Sequence, residues 1–245
     1  MKKLFPRPSL WLLLLAVCVV ALRGARALNG PAALSPAMIA ESGGELDPFA
    51  QDISSLPPRD AAVFWSGWGD YYSHAADSAD KMFLCFTKAL EADGKEPVHH
   101  ENLANVIFMF RKDAMRYYGR NEQQVFDLAL AHYDQALRLE RNFERAKELA
   151  RCYYLIKPTR AEDALKAWNV TLSLARTEAQ RQEVYLDLAR LHLNAGRVWE
   201  AKKFIERVTY PGLRDMRETL EYRVAVEGVK VASHARETEM VWNRN

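Results

Sequence analysis

Histidines, cysteines and carboxylates are where chemistry would be sought first in this chain, and their spacing does not suit a catalyst. His99-His100-Glu101 comes nearest to a metal-binding cluster, but it lacks the second histidine four residues on that would put two imidazoles on one helix face. The triplet reads as the start of a helix. The chain has no Gly-rich phosphate loop, no zinc spacing of cysteines and no Gly-x-Ser-x-Gly elbow. Asn169-Val170-Thr171 matches a glycosylation acceptor in form, yet it lies between Trp168 and Leu172 in a stretch of helical periodicity, so the match is read as accidental. Glu218, Glu221 and Glu227 stand at helical spacings with arginines nearby, which describes a solvated face better than an acid and base pair. No catalytic, cofactor-binding or metal-ligating residue is assigned, no cofactor is expected, and the expectation is that the chain is not an enzyme.

The elements that would carry any site begin after an address. Residues 1–27 hold Lys2, Lys3, Arg7, Arg23 and Arg26 and no acidic residue, with an apolar run from Leu10 to Leu22 and Ala25-Arg26-Ala27 at cleavage spacing. That is the order of a secretory signal. Thirteen apolar residues make a helix of about 20 Å, short of the roughly 30 Å hydrocarbon core, so a cleaved signal is preferred over an uncleaved inner-membrane anchor. Without this segment 29 basic side chains face 32 acidic ones, so the body lacks the positive excess that nucleic-acid binding needs. The mature chain is expected outside the cytoplasm, periplasmic or secreted, and not spanning a membrane. Cys85 and Cys152 sit among apolar neighbours, where two buried thiols are preferred over a disulfide.

Residues 28–60 are rich in Pro, Gly, Ala and Ser and read as a linker or arm, although Phe49 and Ile53 could pack onto the first helices. Beyond Asp60 one Pro-free amphipathic pattern succeeds another, punctuated by Pro97, Pro158 and Pro211. The fold class is all-α. The spacing predicts helix pairs over 61–92, 102–139, 143–175 and 183–208, and a last helix over 214–236.

A recurrence links the pairs. In each second helix a small or apolar residue is followed four positions later by a larger one and three later by another small or apolar one: Met82, Phe86, Ala89; Ala129, Tyr133, Ala136; Ala164, Trp168, Thr171; and more weakly Ala201, Ile205, Val208. The first helices supply Trp65, Trp68, Gly69, Tyr72; Leu103, Ala104, Ile107; Leu149, Ala150, Tyr153; and Leu188, Ala189, His192. Small residues let two helices approach while the aromatic fills the groove beside them. These residues resemble the tetratricopeptide repeat, a helix-turn-helix unit of about 34 residues. The resemblance covers roughly 61–212, is cleanest over 183–212, and departs from the family pattern between Ala104 and Ala129, which is too long, and at Lys157-Pro158. It implies an α-solenoid of three to four repeats with a C-terminal helix and tail over 213–245.

The resemblance also implies a concave groove lined by the first helices, able to take a protein or peptide. Its lining is expected to include Asn105, Phe108 and Met109, then Lys147, Arg151 and Tyr154, then Arg190 and Asn194. That aromatic and cationic mix suits a peptide carrying an acidic group. The alternative is a structural subunit of an envelope complex, or a self-associating protein, with exposed aromatics or a tail around Trp242 as its contact.

Overall fold

Prolines, side-chain caps and two left-handed glycines set where the helices begin and end. α1 (Pro58–His74) starts on a proline at its first turn, as does α3 (Pro97–Met109), where the missing N–H costs nothing. Between them lies α2 (Ala79–Ala92). α5 (Glu122–Leu139) opens on an Asn121/Gln124 capping box, α6 (Phe143–Cys152) on the Asn142 side chain, and α8 (Glu178–Asn194) on a Thr177/Gln180 box. Each cap satisfies amide donors that a helix start leaves open. Gly119 and Gly196 take φ of 61° and 72° after α4 (Arg111–Tyr118) and α8, a conformation that other residues adopt reluctantly. α7 (Ala161–Leu174), α9 (Val198–Ile205) and α10 (Arg214–Trp242) complete the set. The structure, a computed structural model, describes residues 47–75 and 78–242, with side chains as far as 228. The expected signal, most of the expected linker and the Trp242 side chain lie outside the described residues.

The described chain is all-α, with ten α-helices and two short 3-10 turns. Helices pair α1 with α2, α3 with α5 across the short α4, α6 with α7 and α8 with α9. The first pair is antiparallel, because Trp65 lies beside Lys88, Gly69 beside Phe86 and Tyr72 beside Lys81. A Cβ on Gly69 would stand 2.8 Å from the Phe86 ring, so only glycine permits this approach. Ala89, Ala104, Ala129, Ala136, Ala150, Ala164, Ala189 and Ala201 are buried, as their recurrence requires. Successive pairs then pack one on the next, and α10 closes the row against α8 and α9. That order is compatible with a helical solenoid.

The excess length between Ala104 and Ala129 is a separate helix. α3 ends at Phe110, which turns with φ −100° and ψ 38° and at once begins α4. Tyr117 and Tyr118 of α4 rest on Phe83 of α2 at ring separations of 5.2 and 5.6 Å, and Arg111 bonds to Glu122 at the start of α5. The insertion is thus packed rather than looped out.

Two further boundaries differ from expectation. The end of the stretch read as a linker is docked, since Phe49 stacks on Trp65 at 5.5 Å and Ile53 and Leu56 pack on the first core. The last helix runs to Trp242, six residues past the expected end at 236. Cys85 and Cys152 are buried thiols, and burial pushes the Cys85 thiol up to about 12, which makes it a poor nucleophile.

Candidate functional site

The first helices of successive pairs lie side by side, and side-chain bonds join them. Ser66 of α1 meets His99 of α3 at 3.2 Å, and Arg145 of α6 binds Glu101 of α3 at 3.0 Å and Glu140 at 2.7 Å. Lys147 and Arg151 of α6 both reach Glu183 of α8, at 3.3 and 3.4 Å. The Tyr154 hydroxyl, just past α6, donates to the main-chain oxygen of Asp187 at 2.8 Å. These partners are separated in sequence by 33, 36, 32 and 33 residues for Ser66–His99, Lys147–Glu183, Arg151–Glu183 and Tyr154–Asp187. The second helices repeat the interval, with Arg160 at the head of α7 bonding Asp127 and Gln123 of α5 across 33 and 37 positions. Residues some 32 to 37 positions apart are therefore spatial neighbours. Glu101 and Arg145 are 44 apart, the longer interval expected where α4 is inserted.

Half of the expected groove residues gather around two carboxylates that helical periodicity did not single out. Lys147, Arg151, Tyr154 and Arg190 surround Glu183 and Asp187. Asp187 is 4% exposed; Arg190 lies 3.5 Å from its carboxylate, and the Tyr154 hydroxyl 3.3 Å. Arg190 also covers the face of the Tyr154 ring at 5.5 Å, whose other neighbour is Trp168 at 5.9 Å. Burial pushes the Asp187 carboxyl up to about 6, against the opposing pull of Arg190 and Arg151. Burial likewise raises the Tyr154 phenol above its ordinary range, with the Asp187 charge adding to it.

The remaining expected residues divide. Asn105 accepts a hydrogen bond from the Tyr133 hydroxyl, and Asn194 accepts one at 3.0 Å from Arg223 of α10, so both are tied within the fold. Phe108 is buried in the core against Phe126, 5.5 Å between rings. Its neighbour Met109 is exposed instead. Each of the cations has a carboxylate partner: Lys147 binds Glu144 and Glu183, Arg151 binds Glu148 and Glu183, and Arg190 binds Asp187. An acidic ligand would meet a charge-paired surface with spare guanidinium N–H groups rather than free positive charge. Glu183 and Asp187 lie 32 to 36 positions after the residues they bind, an interval that could be read from the sequence.

Among the described residues no helix is long and apolar enough to cross a membrane. No known family model matches the chain, and no curated protein matches it.

Proposed function

We propose that this protein is a tetratricopeptide-like scaffold that is exported and holds a protein or peptide partner along its first helices. The carrying observation is the interval of 32 to 37 residues between side chains that bond across successive pairs, which is the period of that repeat. The small-residue recurrence within the helices supports the same reading. The partner meets α6 and α8 where Arg151 and Arg190, each partly exposed, keep N–H donors beyond those used on Glu183 and Asp187. Affinity capture from the cell-envelope fraction tests this with wild type and an Arg151→Ala, Arg190→Ala variant whose helicity is checked by circular dichroism. The expected result is a specific partner that the folded variant loses; a partner retained by both excludes this face. A mature chain beginning at Leu28 by mass spectrometry is the expected sign of export through a cleaved signal.

A second reading is favoured by aromatics on the last pair and the closing helix. Trp199 is 64% and Tyr222 72% exposed, with Tyr210 and Met216 also open to solvent. Large exposed rings of this kind suit a structural contact. Light scattering coupled to size exclusion, with Trp199→Glu and Tyr222→Glu, distinguishes it: dissociation of an assembly by these changes favours the structural role.

A further inference from the structure

The structure places His100 of α3 opposite His132 of α5, with the two Nδ1 atoms 3.2 Å apart. The ring centres are 5.5 Å apart, well beyond the nitrogen separation, so the imidazoles meet nitrogen to nitrogen rather than face to face. His100 Nε2 lies 3.3 Å from the Gly94 carbonyl oxygen, which can only accept. That oxygen holds the His100 proton on Nε2 and leaves Nδ1 as a lone pair aimed at His132. Both rings are half-buried and open in part to solvent. The residue after His132 is also held, since the Tyr133 hydroxyl bonds to Asn105, and this sets α3 and α5 in register beside the pair.

We infer that His100 and His132 form a two-imidazole site for a late first-row transition-metal ion such as Zn2+. Two Zn–N bonds of about 2.0–2.1 Å at a tetrahedral angle put their nitrogens roughly 3.3–3.4 Å apart, close to the observed separation. A carbonyl accepting the far N–H of a ligating histidine is the usual support for such a ligand, and Gly94 supplies it to His100. Binding needs the His132 proton to sit on Nε2, a tautomer exchange through solvent with no net release of a proton. Among the described residues no group of three or more His, Cys, Asp and Glu side chains could hold a metal, so water completes the coordination. Two neutral nitrogens select borderline transition ions over Ca2+ and Mg2+, which need oxygen ligands. Because the two ligands come from different helices, the ion staples α3 to α5.

The test is thermal unfolding and titration calorimetry of the untagged protein with ZnCl2, against Ca2+ and against chelator. With about tenfold excess of Zn2+ over the dissociation constant, the midpoint is expected to rise by roughly 3–6 °C. Calorimetry is expected to show one site. His100→Asn and His132→Asn, each verified as folded in chelator, are expected to lose both the shift and the binding heat. No zinc-dependent shift in wild type overturns the site and leaves the pair as a simple N–H···N hydrogen bond. A shift that survives in both variants overturns it equally, by placing the zinc elsewhere.

Discussion

The first two helix pairs and the last two are held by different chemistry. In the first two pairs rings dominate: within α1 Phe64, Trp65, Trp68, Tyr71 and Tyr72 form a continuous chain of edge and tilted contacts at 5.1 to 6.5 Å, and between helices Phe83 of α2 meets Tyr117 and Tyr118 of α4 and Phe108 of α3 meets Phe126 of α5. From α6 to α9 polar groups are drawn inside. Asp187 sits within Tyr154, Arg151 and Arg190, and the buried Gln182 accepts from the Thr209 and Tyr210 amides at 2.7 and 2.6 Å. Ring packing removes apolar area from water and is nearly blind to salt and pH. A buried carboxylate contributes little net energy but fixes direction, since each lone pair must find a donor. The first two pairs therefore rest more on ring packing, and the last two more on directed polar contacts.

The strongest way to break that division is to remove a ring. Trp68→Ala deletes a fully buried side chain and is expected to destabilise by roughly 3–5 kcal/mol in urea unfolding, by the same amount at high and low salt. A loss that depended on salt would place electrostatics in the aromatic half. Next in size is a pH effect of Asp187 in the polar half, read against a variant so that the histidines of α3 and α5, whose pKa values burial lowers, cancel. Between about 6 and 3.8 the folded chain holds a proton on Asp187 that the unfolded chain releases, so acidification through this window stabilises the fold through this group. Its full extent is on the order of 3 kcal/mol. Unfolding measured across that range should show wild type gaining on Asp187→Asn as the pH falls; parallel curves would mean that Asp187 is not held in a desolvated site.

Smaller changes sharpen the contrast. Tyr154→Phe removes the donor to the Asp187 carbonyl while keeping the ring, and is expected to cost about 1–2 kcal/mol. It should also alter the pH dependence, because the lost hydroxyl faces the same carboxylate. Arg111→Ala breaks an ion pair whose members are 39% and 47% exposed, and should cost under about 1 kcal/mol, fading with added salt.

How much could be read in advance differs from element to element. The helices were legible because 3.6-residue periodicity and proline punctuation act within a turn or two, and the caps at Asn121, Asn142 and Thr177 are equally local. The surplus between Ala104 and Ala129 was visible as length, but its form was not: the break at Phe110 uses neither Gly nor Pro. The burial of Phe108 was not legible because α3 carries apolar residues on several faces, with Leu103, Val106, Ile107 and Phe108 all buried, so periodicity alone does not say which face is inside.

What the sequence by itself determined is thus the class of the fold, the pairing of neighbouring helices and the alternation of small and large residues that lets them approach. The tertiary structure alone decided which charged side chains are paired and which surface is left open. Neighbouring helix positions point about 100° apart around the axis, so a small rotation between helices exchanges a groove-facing residue for a buried one. That rotation is set by the packing of α6 against α8 and of α3 against α5, among residues more than thirty positions apart. Lys147 and Arg151 meet Glu183, and His100 meets His132, only once those helices are in place.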